Sequence, residues 1–395
     1  MNNDLSSYFE DPEFKEALEK YEGMVKNHTP AYFDADELTD IAEYYASKGR
    51  QIEAEAAIDF ALQLHPNDTD ALIFRARSLA MKGRLDEAYM VMDLIEDRSD
   101  REVRFLKADL LMEEKRMEEA DHVFEELAAY EEGKLETLID IILAYIDANQ
   151  EALAKKWIKH VGETYDLASL SQKNQKFRDL LCDFYITFNN PEAAIPLLQA
   201  TLDCYPYSIN HWNSLGKCYL STNDYEEAHE AIDFALAIDD SNAEALTLKA
   251  FCYQQSGELQ KSCDYYLRLA EQQENKTRAY LALAKTYFEM QDYTSSIYYI
   301  EALLDNKDAL SKYELSELYG DIALCHAALK HIGVGQASIR RSLELNENDP
   351  DTLIVAGRFF LMEAKACNDE TAKAENQAKG ELYFRQALNL IMEDE

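Results

Sequence analysis

The sequence of 395 residues contains little glycine and little proline, 12 and 7 residues respectively. Turns between strands rely on these residue types, so their scarcity favours helices joined by short connections. Apolar residues make up 47% of the chain and aromatic residues 11%. This is enough to bury a large core, so the composition is not that of a disordered protein.

Basic residues are also scarce, because 39 Lys and Arg stand against 76 Asp and Glu, for a formal net charge of -37. A field of this sign repels nucleic acid phosphates and anionic lipid head groups. We therefore expect partners that are neither nucleic acid nor membrane. Either the charge attracts basic segments of other proteins, or it forms a solvated surface without a binding role.

Cysteine is absent from residues 1–181, and the seven that follow are odd in number and not closely paired. This pattern does not form a disulfide framework and indicates a reducing compartment. The first residues lack the basic and apolar regions of a signal peptide, and no run of about 18 apolar residues occurs. We expect a cytoplasmic protein.

An internal repeat is clearest in residues 211–240. One helix face carries Trp212, Leu215, Gly216 and Tyr219, and after a polar break at 222–224 a second face carries Tyr225, Ala228, Ile232 and Ala235. The spacing predicts two amphipathic helices joined by a tight turn. The pattern returns after 34 residues and again after a further 34, the period of tetratricopeptide repeats. The sequence resembles that family, with Trp-x2-Leu-Gly-x2-Tyr intact at 212–219.

Extending this register in both directions predicts ten repeats over residues 36–392. The residues at the Trp212 position are Leu38, Leu72, Arg104, Leu138, Arg178, Trp212, Leu246, Tyr280, Tyr319 and Leu353, of which the two arginines are atypical. The columns of Gly216 and Ala228 hold mainly small residues, as needed where the two helices of a repeat cross closely. The resemblance implies an all-α, right-handed superhelical solenoid of about ten helix-turn-helix repeats.

The expected organisation is a capping helix and linker over residues 1–35 and a repeat array over 36–395. The array has blocks at 36–161, 177–304 and 315–395. Asp11 and Pro12 mark a helix start, and Phe14, Leu18, Tyr21 and Val25 form a stripe that would cover the first repeat. Polar inserts near 162–176, 305–314 and 364–379 are expected to be helix extensions or surface loops.

The last helix, predicted over residues 381–392, is apolar on more than one side. By register Phe384, Leu388 and Ile391 face inward, whereas Leu382, Tyr383 and Leu390 are left over. Uncovered apolar surface usually packs against something. The sequence therefore predicts self-association or a partner helix here. The alternative is that the acidic end and the mixed surface keep this helix soluble without a partner.

No catalytic constellation emerges from the sequence. The segment GVGQAS at 333–338 resembles a truncated phosphate loop, but it is placed in a turn between helices and follows no strand. The histidines lack metal-ligand spacing, and Cys218, Cys252 and Cys325 share one repeat column. We expect no enzymatic activity, no cofactor and no metal.

The resemblance implies that a partner lies in a concave groove lined by the first helix of each repeat. The predicted peptide-binding residues are Asn210, Asn213, Lys217, Phe251, Gln254, Arg278, Lys285 and Phe288. Groove positions are strongly acidic in repeats one to five and slightly basic in repeats six to eight. A partner with a carboxylate end at repeats six to eight, and basic residues reaching toward repeats one to five, fits this pattern. A chaperone-type carboxylate clamp fits less well, because Asn213 and Lys217 stand in reversed order.

The sequence predicts a non-catalytic scaffold or adaptor that binds a protein or peptide segment in this groove. The alternative is an accessory or regulatory subunit of an enzyme or assembly complex that wraps around a folded partner.

Overall fold

A computed structural model describes residues 9, 11–27, 30–305 and 310–393 of the chain. Throughout these ranges helix follows helix, without a strand. The predicted all-α fold is confirmed. The chain divides into two compact units, Met1–Phe188 and Asn189–Glu395.

The helices of unit 1 form a series in which neighbours along the chain pack together. They are α1 (Pro12–Asn27), α2 (Ala35–Ser47), α3 (Gln51–Leu64), α4 (Thr69–Met81), α5 (Leu85–Met92), α6 (Arg101–Glu113), α7 (Met117–Tyr130), α8 (Leu135–Asp147), α9 (Glu151–Thr164), α10 (Leu167–Lys173) and α11 (Gln175–Thr187).

Unit 2 continues the series. Its helices are α12 (Pro191–Cys204), α13 (Ile209–Thr222), α14 (Tyr225–Ile238), α15 (Ala243–Gln255), α16 (Leu259–Ala270), α17 (Lys276–Glu289), α18 (Tyr293–Leu304), α19 (Lys312–Ala328), α20 (Ile332–Leu345), α21 (Pro350–Ala366) and α22 (Glu370–Glu393). Pairs such as α13 with α14 and α15 with α16 are the first and second helices of predicted repeats, and they pack closely. None of the helices in the described ranges is long and apolar enough to span a membrane.

The turn inside each of the first nine predicted repeats has one recurring geometry. Eleven residues after the Trp212 position, the backbone is left-handed, with φ from 52° to 78°, at Gly49, Gly83, Lys115, Asn149, Asn189, Asn223, Gly257, Gln291 and Lys330. At eight of these nine turns the next residue donates its backbone N–H to the carbonyl of the Tyr219 position, for example Asp224 to Tyr219 at 2.9 Å. This is a glycine-type helix end, and its recurrence supports the predicted register. The number of repeats and the hand of the superhelix stay predictions.

A testable consequence concerns the turn residues that are not glycine. Left-handed backbone is unfavourable for a residue with a Cβ, so Gln291→Gly is expected to stabilise unit 2 by about 0.5–1 kcal/mol. Gly257→Ala, at the same turn position of the preceding repeat, is expected to destabilise it by about 1 kcal/mol. Urea denaturation of both variants checks the pair. A loss of stability in Gln291→Gly would contradict the interpretation.

Small residues occur where helices cross, as the repeat columns predict. A Cβ added to Gly216 would lie 2.7 Å from Cγ1 of Ile232, and one added to Gly335 would lie 2.7 Å from Cε2 of Phe359. Gly335 belongs to α20, so the segment 333–338 is helical and the predicted turn there is wrong. Its glycine is explained by the approach of the Phe359 ring.

The N-terminal helix α1 covers the first repeat with part of its stripe. Phe14 and Tyr21 are buried, whereas Val25 is exposed. The ring of Tyr21 lies 5.9 Å from that of Phe33 and 6.4 Å from that of Tyr45, so it packs on the first helix pair and the segment that precedes it.

The last helix differs from the prediction. Leu388 and Ile391, predicted to face inward, are 55% and 43% exposed. Leu388 corresponds in register to Leu236, which packs against the core of the repeat that follows it. No described element takes that place beside α22, and this is why Leu388 is exposed. Tyr383, predicted to be left over, stacks on Phe360 at 5.7 Å.

The inserts take different forms. The first contains the short helix α10. Part of the second, at 306–309, lies outside the described residues. The third lengthens both helices of the last repeat, which have 17 and 24 residues where most others have 12 to 14. The domain boundaries predicted from the inserts stay a prediction.

Candidate binding face of the second unit

All eight predicted site residues lie on three first helices of unit 2. Asn210, Asn213 and Lys217 are on α13, Phe251 and Gln254 on α15, and Arg278, Lys285 and Phe288 on α17. Together with α19, which follows them in the same role, these helices form what we name the first-helix face of unit 2.

Ion pairs between successive first helices recur at one register position. The Lys217 ammonium pairs with Glu244, and Nζ of Lys285 lies 3.2 Å from Oε1 of Glu317. In both pairs the lysine is five residues after the Trp212 position and the glutamate is two residues before that position in the next repeat. Arg77 and Glu102 of unit 1 make the same pair at 3.6 Å. The pairs connect neighbouring repeats and leave less charge available to a partner.

The series is interrupted between α15 and α17. The two equivalent positions hold Phe251 and Arg278. Phe251 is 42% exposed. Arg278 is exposed as well, and it forms no ion pair with any residue that the structure describes. Between the Lys217–Glu244 and Lys285–Glu317 pairs, the chain therefore has an exposed ring and a guanidinium without a counter-ion among the described residues.

The other predicted residues differ in accessibility. Asn213 is buried, and its amide donates to Asn242 and Glu244 at 3.1 and 3.0 Å. Gln254 donates to both carboxylate oxygens of Glu289 at 2.9 Å. The structure thus groups Asn213 with the Lys217–Glu244 pair, but it leaves no exposed amide on Asn213 for a partner.

Asn210 and Phe288 are the two remaining predicted residues, and they differ in exposure. Asn210 is exposed at the start of α13. Phe288 is half-buried, packs against the core around Ala323 and Phe359, and meets the Tyr293 ring edge-on at 5.4 Å. Phe288 therefore acts mainly in packing.

Asp321 on α19 adds a half-buried carboxyl next to the Lys285–Glu317 pair. Burial raises the pKa of Asp321 to about 6, and the nearby Glu317 acts in the same direction. Lys285 and Arg358 oppose the shift but do not cancel it. A buried carboxyl with a perturbed pKa is more common at functional surfaces than elsewhere.

The first helices of unit 1 carry more acidic residues than nearby basic residues can neutralise. Partial desolvation raises the pKa of Glu43, of Asp70 and of Asp109, and neighbouring carboxylates contribute to each shift. Arg77 lies 3.4 Å from Asp109 and 3.6 Å from Glu102 and lowers the pKa of Asp109 in part. These helices favour a cationic ligand over an anionic one.

The remaining reactive groups are held inside the repeats. Burial raises the pKa of the thiols of Cys218, Cys263 and Cys325 to about 11, so they are protonated at neutral pH. Within the described ranges, no group of three His, Cys, Asp or Glu side chains is placed to hold a metal ion.

Sequence reasoning missed the pairing of Lys217 and Lys285. The sum of charges along the groove positions does not show which side chains of neighbouring repeats are in contact. Reading the fifth residue after the Trp212 position together with the second residue before it in the next repeat would have shown both pairs. It would also have shown that Phe251 and Arg278, at the junction between these two pairs, cannot form one.

Comparison with known proteins identifies the repeat. The family model described as tetratricopeptide repeat matches residues 39–89 and 213–277. A curated relative, the formate-dependent nitrite reductase complex subunit NrfG of Escherichia coli O157:H7, is 26% identical over 191 residues, which cover 47% of this chain and 89% of the relative. The resemblance to tetratricopeptide repeats is confirmed.

Solved structures with similar folds include a tetratricopeptide repeat protein from Parabacteroides merdae, with 16% identity and a TM-score of 0.47 over 65% of this chain and 98% of that one. A MamA protein has 19% identity and a TM-score of 0.39 over 46% of this chain and 94% of that one. YrrB, described as a protein with an unusual peptide-binding site, has 15% identity and a TM-score of 0.35 over 49% and 91%.

Proposed function

We propose that this chain of tetratricopeptide repeats is a non-catalytic adaptor that binds an extended segment of a partner protein on the first-helix face of unit 2. Proteins with these repeats generally mediate protein–protein interactions. The observation that carries the proposal is the interruption of the ion-pair series at Phe251 and Arg278.

The interruption specifies the chemistry of the partner. Arg278 has no counter-ion among the described residues. Its guanidinium can bind a carboxylate by donating two parallel hydrogen bonds to it. Phe251 offers an apolar surface for a neighbouring side chain. Lys217 and Lys285 contribute less, because binding a carboxylate there means competing with Glu244 and Glu317. The preferred segment therefore combines one carboxylate, terminal or side-chain, with an adjacent apolar residue.

A pentapeptide library with free C-terminal carboxylates, matched by a C-terminal amide library, tests this proposal. Peptides with an apolar residue next to a carboxylate are expected to bind, and amidation is expected to weaken those that use the terminal carboxylate. Arg278→Glu is expected to weaken binding by about tenfold, the size of one charge-assisted contact. The matched control is Arg385→Glu on α22, which makes the same charge change at another exposed arginine. Equal loss in both variants, or equal binding of peptides with and without any carboxylate, would refute the site.

The second candidate function is that of an accessory subunit that contacts a folded partner. The name of the curated relative describes a subunit of an enzyme complex, and the acidic first helices of unit 1 suit a basic protein surface. Tagged protein purified from its native cell would then carry a stoichiometric enzyme, released between about 0.1 and 1 M salt because salt screens the contact. Release that does not depend on salt argues against the acidic helices as the contact.

Self-association through residues 381–392 is a further proposal on partners. The exposed Leu388, Ile391 and Met392 of α22 support it. Sedimentation velocity at rising concentration is expected to show dimers, and Leu388→Glu is expected to remove them. A chain that stays monomeric throughout the micromolar range would contradict self-association. It would not affect the proposed peptide site on the first-helix face.

We also propose a reducing, cytoplasmic location. All seven cysteines are free thiols, which fits a compartment without disulfide formation. Fractionation of native cells tests it, and recovery outside the cytoplasm would contradict it.

A further inference from the structure

A cavity of about 480 Å³ is lined by residues of α12, α13 and α14. Trp212 and Phe234 line it, with ring centroids 4.6 Å apart and an interplanar angle of 18°. The indole N–H of Trp212 donates to the Pro206 carbonyl at 2.8 Å, and this bond fixes the ring. Phe234 is 54% exposed, so the aromatic pair is accessible from solvent.

The charged residues that line this cavity are all of one sign. They are Asp203, Glu227 and Glu230, and the lining contains no Lys, Arg or His. Three carboxylates beside an aromatic pair form an environment that attracts a cation with a flat or apolar body. An anionic or purely apolar ligand would be disfavoured, because the carboxylates would lose hydration without gaining a partner.

The equivalent cavity between the last two repeats differs from this one. It has a volume of about 550 Å³, with Leu353 at the Trp212 position. Arg340 occupies the position that corresponds to Gln199 and supplies a cation from the chain itself. The two cavities occur at the same place in the repeat. Only the cavity at Trp212 combines stacked aromatic rings with carboxylates and has no lining cation of its own.

We propose that the cavity at Trp212 binds an arginine side chain presented by a partner protein. A guanidinium can stack on the exposed ring of Phe234, which itself stacks on Trp212, and at the same time donate hydrogen bonds to the carboxylates. A lysine ammonium has the charge but lacks the planar stacking surface. This site is formed by α12, α13 and α14 and shares no residue with the proposed peptide site at Arg278.

Fluorine NMR of the full chain labelled with 5-fluorotryptophan tests the proposal directly. The chain has two tryptophans. The buried Trp157, in unit 1, serves as an internal reference. The probe is the tripeptide acetyl-Gly-Arg-Gly-amide, compared with the same peptide containing citrulline, which keeps the shape and loses the charge. The arginine peptide is expected to shift the Trp212 signal alone, with saturation on the order of 1–10 mM, and the citrulline peptide is expected not to shift it.

Variants separate the site from the general negative charge of the chain. Glu227→Gln with Glu230→Gln is expected to weaken binding by about fivefold, and Phe234→Ala by about threefold. The matched control is Glu344→Gln with Glu347→Gln in the cavity of the last repeats, expected to leave binding unchanged. Equal weakening in this control, an equal response to citrulline, or an unshifted Trp212 signal would overturn the proposal. A lysine peptide that binds more tightly than the arginine peptide would overturn its assignment to arginine.

Discussion

An Asp321→Asn variant is expected to be more stable than the wild-type chain at pH 8 and equally stable at pH 4. Burial raises the pKa of Asp321 to about 6 in the folded protein, whereas an unfolded aspartate loses its proton near pH 4. Between these values the folded state holds a proton that the unfolded state has lost, so the contribution of Asp321 to wild-type stability falls as the pH rises from 4 to 6. The neutral amide removes this cost, which is on the order of 2–3 kcal/mol.

Urea denaturation at pH 4, 6 and 8 measures this difference, and hydrogen exchange of peptides from α19 assigns it to unit 2. The exposed Asp264→Asn on α16 is the matched control, because it makes the same chemical change at a surface position. It is expected to change the free energy of unfolding by less than about 0.5 kcal/mol. An Asp321→Asn gain that is the same at all three pH values would show that charge burial is not its source.

The cost of Asp321 also bears on the first-helix face. A charge that destabilises the fold is often retained because a binding surface needs it. Asp321 lies next to the Lys285–Glu317 pair, so its removal makes this part of the face less negative. The Asp321→Asn variant should then bind carboxylate peptides more tightly and basic peptides less tightly. Stability and binding would change together for one electrostatic reason.

The repeat register could be predicted from the sequence, because it depends on residue size at fixed spacing. Gly49 and Gly83 also mark their own turns, since glycine favours left-handed backbone. Lys115 and Lys330 adopt the same geometry, yet neither residue type indicates it. There the repeat imposes the turn on the residue, so only the register predicts it.

Contacts between repeats were much less predictable. The sequence shows that Arg178 is atypical for its position, but it does not show why the fold accepts this residue. It is buried, and its guanidinium donates to the carbonyls of Ser171 and Gln172 at 3.1 and 3.3 Å. Those carbonyls belong to the insert that contains α10, so the compensation comes from residues outside the repeat pattern. The exposure of Leu388 likewise depends on a neighbour and not on its own helix.

The hydrogen-bonded group around Asp121 of α7 provides the second large expected effect. One carboxylate oxygen of Asp121 accepts from the Tyr145 hydroxyl at 2.9 Å and from the Trp157 indole at 2.8 Å. The other accepts from Nζ of Lys156 at 2.5 Å. Tyr145 and Trp157 are buried, so Asp121→Ala leaves two buried donors without an acceptor. Each costs about 1–3 kcal/mol, and unit 1 is expected to lose about 3 kcal/mol.

A control for Asp121→Ala is Asp93→Ala, which removes the exposed ion pair with Arg98 and is expected to cost less than about 1 kcal/mol. Asp121→Asn keeps one acceptor, so its loss of stability should fall between those of Asp93→Ala and Asp121→Ala.

Burial alone would raise the pKa of Asp121, but the hydrogen bonds from Lys156, Trp157 and Tyr145 outweigh it and lower the pKa. The ionised carboxylate therefore stabilises the fold above about pH 4, and this contribution is lost as the pH falls through the lowered pKa. The stability difference between wild type and Asp121→Asn should narrow below pH 4, and a difference that is constant with pH would mean that shape, not charge, makes Asp121 important.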